Sequence, residues 1–262
     1  MPTIADYQMV CEQAARAAGE LLLDWSGRFA VREKGPSDLV TEADLASQAK
    51  IQEVLLGAFP KHGFLAEENL SIPSQEEGLR WIVDPLDGTT NYVHGLPQYA
   101  VSIALEQAGR LRVGTVYNPA MGECFSAAEG QGAHLNGKPL QVSRAADLGQ
   151  ALAAVSFPAK IHPDDPEIRD FLAVMLKCQA VRRMGSSALN LSYLAAGRFD
   201  AYWARSTKIW DIAAGVLLVR EAGGVVSGLD GRELDLADPR FIAASTSRLH
   251  DQLCRMLCPS RP

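Results

Sequence analysis

The segment WIVDPLDGTTN, residues 81–91, runs from an apolar stretch directly into two carboxylates. The apolar residues predict a buried strand, which ends at Asp84. Asp87 lies three positions further on, and the proline between the acids restricts the turn so that both carboxylates can point to one spot. Gly88 and Thr89 follow, and a helix that begins there has free N–H groups for an anion. Carboxylate oxygens beside a phosphate cradle are what a Mg²⁺-dependent phosphoryl-transfer site requires.

Three further elements place acidic residues at the ends of apolar or capped segments. Glu67 and Glu68 follow a short apolar run, and Asp211 opens an apolar helix directly after a tryptophan. Asp44 closes the segment 38–44, which has the pattern of a capped helix start. Taken singly, each acid has a structural interpretation, either in a solvated loop or at a helix N-cap. Only the four elements together indicate a functional site.

Composition and charge define the class of protein. The 262 residues are 47% hydrophobic and 21% charged, as in a soluble globular protein of one or two domains. With 25 basic and 31 acidic side chains the net charge is −6, which argues against a nucleic-acid partner. No apolar run approaches the ~20 residues of a membrane span, and the chain begins without a signal-peptide pattern. The five scattered cysteines indicate reduced thiols, so we expect a cytoplasmic protein without membrane or nucleic-acid partners.

The pattern of apolar residues divides the chain into two halves, residues 1–147 and 148–262. Helices are predicted at 3–25 and 41–59, a loop at 27–36 and antiparallel strands over 98–143. The second half alternates strands with helices. The pattern predicts a mixed α/β or α+β fold. Its first half carries most candidate metal ligands, and its second, smaller half supplies Asp211 and substrate contacts.

Together these elements resemble the inositol monophosphatase family of Mg²⁺-dependent, lithium-sensitive phosphomonoesterases. The segments 84–90 and 210–215 match its two signature motifs, and 182–189 is similar to its Arg-x-x-Gly-Ser-x-Ala-Leu segment. The resemblance covers nearly the whole chain, in the family's order. It implies an αβαβα layered sandwich of the inositol monophosphatase and sugar phosphatase type, a phosphoric monoester hydrolase and a homodimer.

Carried over position by position, the resemblance implies a role for each matching residue. The implied metal ligands are Glu67, Asp84, the backbone carbonyl of Leu86, Asp87 and Asp211, which hold two or three Mg²⁺. The implied catalytic residues are Asp44, Glu67 and Thr89, which direct a metal-activated water onto phosphorus without a phosphoenzyme. The implied substrate contacts are Asp87, Gly88, Thr89, Ser186, Ser187, Ala204, Arg205 and Asp211. Lys34 and Asp38 are similar to a loop that closes over the metals.

One departure from the family bears on the substrate. Members that prefer inositol phosphate place a glutamate seven residues before the acid of the second motif, whereas this chain has Ala204. Loss of that acceptor costs ~1–3 kcal/mol of recognition. Arg205 is expected either to be solvated or to meet a second anionic group of the substrate. Inositol monophosphate is the reference substrate. Fructose 1,6-bisphosphate, histidinol phosphate and 3′-phosphonucleotides are the alternatives.

Two other classes of function compete with this one. An aspartyl-phosphate phosphatase of the haloacid dehalogenase type carries Asp-x-Asp-Gly-Thr after its first strand. Here two predicted helices come first, and two residues separate Asp84 from Asp87. A phosphoenzyme trapped on Asp84 would favour that class. The other class is a non-catalytic binding module on the same fold, whose sign would be undetectable turnover despite tight Mg²⁺ binding.

Overall fold

The computed structural model describes residues 2–28, 31–35, 38–76 and 78–258, with side chains for all of these except residues 31–40. Its helices are α1 (Ile4–Trp25), α2 (Glu42–Ala58), α3 (Thr89–Val93), α4 (Pro166–Met175), α5 (Ser187–Ala195), α6 (Ile209–Glu221) and α7 (Ser247–Leu257). Its strands are β1 (Val31–Gly35), β2 (Asp38–Thr41), β3 (Gly63–Ala66), β4 (Ser71–Ile72), β5 (Leu79–Asp87), β6 (Ala100–Gln107), β7 (Arg110–Asn118), β8 (Glu123–Ala128), β9 (Ala133–Leu135), β10 (Lys138–Pro139), β11 (Leu152–Val155), β12 (Ala180–Arg182), β13 (Ala201–Ala204), β14 (Val225–Gly228) and β15 (Phe241–Ala244).

The strands form two large sheets and a hairpin. The first sheet has the order β10-β9-β8-β7-β6-β5-β3-β4 and is antiparallel except for the parallel pair β3–β5. The second sheet has the order β12-β11-β13-β15-β14, and β11 pairs in parallel with both of its neighbours. Strands β1 and β2 pair only with each other within the described residues.

Helices cover both sheets, so the elements form five layers. Helices α1 and α2 pack together on one face of the first sheet, and α5 and α6 pack between the two sheets. Helices α4 and α7 cover the outer face of the second sheet. This αβαβα order confirms the fold that the family resemblance implies.

Successive residues on the central strands reach different layers, because side chains alternate across a strand. On β5, Trp81 packs towards α1 and α2, whereas Ile82 faces α5 and α6. On β13, Tyr202 faces the middle layer and Trp203 the outer one. Strands that are buried on both faces explain why the sequence shows continuous apolar runs here instead of a polar and apolar alternation.

Capping residues set the starts of the first two helices. Thr3 Oγ1 accepts a hydrogen bond from the Asp6 N–H, and the Asp6 carboxylate accepts one from the Thr3 N–H. At the start of α2, Asp44 likewise accepts from the Thr41 N–H, while Thr41 Oγ1 accepts from the N–H of Ala43. Such caps satisfy backbone donors that a helix start leaves without partners. Both predicted helix starts are confirmed.

Two expectations about local structure are wrong. The predicted loop at 27–36 contains β1, which pairs with β2 in an antiparallel hairpin. The segment is polar and charged, and a hairpin without a regular apolar alternation gives no periodic signal. The strand at residues 81–83 is longer than its apolar core, because β5 continues through a bulge to Asp87.

The two halves of the chain share one core. Helices α5 and α6 come from the second half and pack against the first sheet. Because residues from both halves pack in this core, the structure does not test the division into 1–147 and 148–262, which stays a prediction. None of the helices in the described ranges is both long and apolar enough to cross a lipid bilayer.

Candidate active site

A bulge in β5 brings Asp84 and Asp87 to the same face of the first sheet. Side chains three residues apart on a regular strand point to opposite faces. Asp84 pairs with Ser102 of β6 and Asp87 pairs with Ala100, so β5 has one residue more than β6 between these pairs. The extra residue reverses the alternation after Asp84. Pro85 lies in the bulge, where a strand tolerates a residue without an N–H group.

The N-terminus of α5 holds the Asp87 carboxylate. Ser186 Oγ donates to Asp87 Oδ2 at 2.5 Å, and the Ala188 N–H donates to the same oxygen at 2.7 Å. The Ser187 N–H donates to Asp87 Oδ1 at 3.3 Å. These bonds join the second half of the chain to β5. Ser186 and Ser187, which the sequence assigns to substrate, therefore contact Asp87 in this structure.

Helix α2 places Asp44 against Thr89, although 45 positions separate them. The Thr89 hydroxyl lies 3.4 Å from Asp44 Oδ1 and 3.1 Å from the Leu86 carbonyl oxygen. Asp44 Oδ2 accepts hydrogen bonds from the Thr41 N–H and hydroxyl at 2.8 and 2.6 Å. Asp44 is fully buried, so these bonds fix the orientation of its carboxylate. The structure thus brings together the two residues expected to direct water.

Two more acids come from β3 and α6. Glu67 directly follows β3, and its N–H donates to the Val83 carbonyl of β5 at 3.1 Å. Because β3 and β5 are parallel, Glu67 lies at the same sheet edge as Asp84. Asp211 lies in the first turn of α6, where its carboxylate accepts a hydrogen bond from the Lys208 N–H at 2.7 Å. Acids from three elements therefore meet beside the bulge in β5.

Burial raises the pKa values of the acids at this site, and neighbouring carboxylates add to the rise at Asp84 and Asp211. Burial raises the pKa of Asp84 well above its ordinary value, and three neighbouring carboxylates add to the rise, those of Glu67, Asp87 and Asp211. Burial and the charge of Asp87 raise the pKa of Asp211 to about 8. Burial also raises the pKa of Asp87 to about 6, although the hydrogen bonds from Ser186 and from the α5 backbone oppose the rise. Buried like charges are costly unless a cation or protons neutralise them.

The chemistry of the donor set suits a hard divalent cation, because carboxylate and carbonyl oxygens are the ligands that Mg²⁺ prefers. The candidate donors are Glu67, Asp84, the Leu86 carbonyl, Asp87 and Asp211. Among the described residues, no three acidic, histidine or cysteine side chains are arranged so that they alone can hold a metal ion. Further oxygen ligands are therefore needed, and Mg²⁺ in proteins usually keeps several waters and binds substrate phosphate as well.

A cleft of about 460 Å³ opens beside the acids. Its lining residues are Thr90, Asn91, Ser156, Phe157, Ala159, Arg183, Met184, Gly185, Ser187, Ser206 and Asp211. Ser187 and Asp211 are the predicted site residues in this lining. Sequence reasoning missed Phe157, Arg183 and Ser206. Of these three, only Arg183 has a signal in the sequence, because it lies inside the segment 182–189 that resembles the family.

Ala204 and Arg205 are not among the residues that line this cleft, and their contact with substrate stays a prediction. Ala204 is 1% exposed and packs in the middle layer. Arg205 Nε forms a salt bridge with Asp170 of α4, and its Nη2 donates to the Leu257 carbonyl at 2.9 Å. Arg205 therefore links the loop before α6 to α4 and α7. Its neighbour Ser206 lines the cleft instead.

The structure describes Gly88 completely, whereas for the predicted closing loop it describes only the backbone of Lys34 and Asp38. Gly88 precedes α3 with a φ of 88°, and a Cβ there would lie 2.8 Å from the Gln98 carbonyl oxygen, so the position requires glycine. The backbone of Lys34 and Asp38 belongs to the β1–β2 hairpin. Their side chains lie outside the described residues, so the closing loop stays a prediction.

Comparison with known proteins agrees with this geometry. The sequence matches the model of the inositol monophosphatase family over residues 5–261. It is 41% identical over 253 residues to an inositol-1-monophosphatase from Mesorhizobium japonicum, with 94% of each chain covered. It is also 41% identical over 242 residues to a Nus factor SuhB from Pseudomonas aeruginosa, with 89% of each covered. The crystal structure of extragenic suppressor protein SuhB from Bartonella henselae is similar, with a TM-score of 0.91, 39% identity and coverage of 96% of this chain and 98% of that one.

Proposed function

Because this chain belongs to the inositol monophosphatase family, we propose that it hydrolyses a small phosphate monoester in the cleft beside Asp84, Asp87 and Asp211. The observation that carries the proposal is the convergence of two buried acids of β5 with half-buried acids from the end of β3 and from α6, whose charges raise the pKa values of Asp84 and Asp211. Such a cluster opposes folding, since burying like charges costs free energy. A role in binding a cation and a phosphate accounts for it.

We propose Mg²⁺ as the cofactor, two or three ions per site. Its ligands would be the acidic cluster, Glu67, Asp84, Asp87 and Asp211, together with the Leu86 carbonyl. Bound Mg²⁺ stabilises negative charge on a phosphoryl group and makes water more acidic.

Thr89 and Asp44 supply a path for the proton of the attacking water. The Thr89 hydroxyl lies within reach of Asp44 Oδ1, so its oxygen accepts a proton from water while its own proton passes to the carboxylate. Burial raises the pKa of Asp44 to about 6, against the hydrogen bonds from Thr41. A base with this pKa is ionised at neutral pH and accepts a proton readily. Water attacks phosphorus, the bond to the ester oxygen breaks and that oxygen takes up a proton, which gives an alcohol and inorganic phosphate.

Inositol monophosphate is the reference substrate of this proposal. One relative is named inositol-1-monophosphatase, and the other is named Nus factor SuhB. The acidic cluster favours the phosphatase activity for this chain, because a role without chemistry does not require two buried and two half-buried carboxylates beside a cleft. Fructose 1,6-bisphosphate, histidinol phosphate and 3′-phosphonucleotides stay alternatives, since Ala204 replaces the glutamate found in enzymes that prefer inositol phosphate.

Further properties belong to the proposal through the family resemblance and the composition of the chain. We expect inhibition by lithium, a homodimer, a cytoplasmic location and no nucleic-acid or membrane partner. The net charge of −6 supports the expectation about nucleic acids.

Phosphate release in the presence of Mg²⁺ tests the proposal. The substrates are inositol 1-phosphate, fructose 1,6-bisphosphate, histidinol phosphate, 3′-phosphoadenosine 5′-phosphate and glycerol 2-phosphate. We expect Asp84→Asn to lower kcat/KM for every hydrolysed ester by more than about 100-fold. Loss of a residue that only supports a metal ligand usually costs up to about 100-fold, and loss of a ligand itself should cost more. Asp251→Asn changes an exposed acid on α7 and is the matched control, with wild-type activity expected.

Three outcomes would overturn the proposal. Wild-type turnover by Asp84→Asn would show that the acidic cluster takes no part in hydrolysis. A phosphoenzyme trapped on Asp84 would assign the chain the chemistry of haloacid dehalogenases. Tight Mg²⁺ binding without turnover of any ester would leave a binding module on this fold.

A further inference from the structure

The cleft carries charges of both signs. Among its lining residues in the described part of the chain, Asp211 is the one acid and Arg183 the one base. Asp211 belongs to the acidic cluster at which phosphate would react. Arg183 lines the cleft together with Phe157, Ala159 and Met184, and these four residues are named the arginine wall.

The guanidinium of Arg183 stacks on an aromatic ring and is not paired with an acid among the described residues. Its guanidinium carbon lies 5.4 Å from the centre of the Phe157 ring. Within the described ranges Arg183 forms no ion pair, and two acids of α4 are already engaged. Asp170 is paired with Arg205, and Glu167 accepts a hydrogen bond from the Ser206 hydroxyl at 2.7 Å. The positive charge of the arginine wall is therefore available to a ligand.

Stacking on a ring leaves the hydrogen-bonding groups of an arginine free. The five N–H donors lie in the plane of the guanidinium, whereas the ring covers only its face. The planar arrangement matches two oxygens of a phosphate or a carboxylate. Phe157 thus limits the positions of the Arg183 side chain without using its donors.

The backbone next to Arg183 is fixed to the acidic end of the cleft. Asn91 Nδ2 donates to the Met184 carbonyl at 2.8 Å and to the Gln98 carbonyl at 2.7 Å. Gly185 has a φ of 79°, and a Cβ there would lie 2.9 Å from Asn91 Nδ2, so the turn fits closely against that side chain. Ser186 then donates to Asp87. Two residues therefore separate Arg183 from Ser186, the side chain that holds a candidate metal ligand.

We propose that Arg183 binds a second anionic group of the substrate, so that this chain prefers a small phosphate ester that carries another phosphate. The inference rests on the proposed function, because it takes the acidic cluster as the place where one phosphate reacts. Arg183 takes the role that the sequence suggested for Arg205, whose Nε and Nη2 donate to Asp170 and to the Leu257 carbonyl within the fold. Arg183 is a specificity-determining residue in this account.

Matched substrate pairs test the inference. The pairs are inositol 1-phosphate with inositol 1,4-bisphosphate, and fructose 1-phosphate with fructose 1,6-bisphosphate. We expect the wild-type kcat/KM to be higher for the bisphosphate of at least one pair. Arg183→Gln should reduce this preference on the order of 10- to 100-fold, mainly through KM, since it removes charge-assisted hydrogen bonds. Arg183→Lys should restore part of the preference, because lysine keeps the charge but not the planar donors.

Arg182→Gln is the matched control. Arg182 is the exposed neighbour of Arg183, donates to the Val181 carbonyl at 3.2 Å and does not line the cleft. We expect it to keep the wild-type preference. An equal loss for both members of a pair in Arg183→Gln would overturn the inference, and so would a wild-type enzyme without preference for bisphosphates.

Binding measurements separate the failure of this inference from failure of the proposed function. Calorimetry with Thr89→Ala, a slow variant that keeps every candidate metal ligand, compares the binding of both members of a pair with and without Arg183→Gln. Stronger binding of the bisphosphate that is lost in the double variant supports Arg183 even if no ester is hydrolysed. Binding and turnover that are both independent of Arg183 overturn the inference even if the chain is a phosphatase.

Discussion

At the residue scale, protons and cations compete for the oxygens of the acidic cluster. Asp84 is 3% exposed and Asp87 is 8% exposed. Hydrogen bonds orient both carboxylates, since the Leu86 N–H donates to Asp84 Oδ1 at 3.0 Å and Ser186 donates to Asp87. Such bonds do not cancel the effect of burial, which raises the pKa values of both residues, nor the neighbouring carboxylates, which add to the rise at Asp84. Metal binding is therefore expected to release protons.

We expect the protein in excess chelator to lose stability as the pH rises. A buried acid with a raised pKa binds its proton more tightly in the folded than in the unfolded chain, so its contribution is complete near pH ~4 and is lost as the pH passes the folded pKa. That loss extends through about 6 for Asp44 and Asp87 and about 8 for Asp211. Thermal unfolding between pH 5 and 8 measures it. Mg²⁺ should raise Tm more at pH 8 than at pH 5.

Asp211→Asn is the variant that checks the origin of this pH dependence. It removes the group whose pKa burial and the Asp87 charge raise to about 8, so the decrease in Tm between pH 6 and 8 should become smaller. A Tm that rises with pH in excess chelator would contradict the description of the acidic cluster.

Replacement of Thr89 tests the proton path. We expect Thr89→Ala to lower kcat by ~10²–10⁴-fold, the usual contribution of general acid–base catalysis, with a smaller change in KM. Thr89→Ser retains the hydroxyl that reaches Asp44 and should keep most of the activity. Steady-state kinetics, with the ester that the wild-type protein hydrolyses fastest, measure kcat and KM for both variants. Equal losses in the two variants would assign Thr89 a role in packing only.

At the element scale, local signals determine some boundaries and tertiary pairing determines others. The starts of α1 and α2 follow from Thr3 and Thr41, because a capping residue acts within its own helix. The bulge in β5 depends on the register with β6, so the sequence around Pro85 indicates a turn but not the extra residue. The hairpin of β1 and β2 is likewise set by pairing that the local pattern does not show.

The contact between α5 and α6 provides a test at this scale. A Cβ at Gly215 of α6 would lie 2.5 Å from the Cβ of Leu191 on α5. We therefore expect Gly215→Ala to destabilise the fold by ~1–3 kcal/mol through overpacking. Gly57→Ala is the matched control, since no atom lies within 4 Å of that position on α2. The control should stabilise the fold by up to ~1 kcal/mol through helix propensity. Urea unfolding measures both, and equal effects would contradict the close contact.

At the scale of the whole molecule, the site forms where the layers meet. The first sheet supplies Asp84 and Asp87, α2 supplies Asp44, and α6 brings Asp211 from the second half. The sequence predicts these acids through the resemblance of its short motifs to those of the inositol monophosphatase family. It does not predict that Arg205 turns away to Asp170, because that choice depends on how α4 packs. Arg183 reaches the cleft for a similarly non-local reason, the attachment of its loop to Asn91.

The measurement that tests the account most directly is a Mg²⁺ titration followed by calorimetry and by phosphate release on the same preparation. The account predicts that binding and turnover rise over the same range of Mg²⁺ concentration. It also predicts that Asp84→Asn loses both while Asp251→Asn keeps both. Phosphate release that persists in excess chelator, or undiminished release by Asp84→Asn, would contradict the assignment of the acidic cluster as a metal-dependent phosphatase centre.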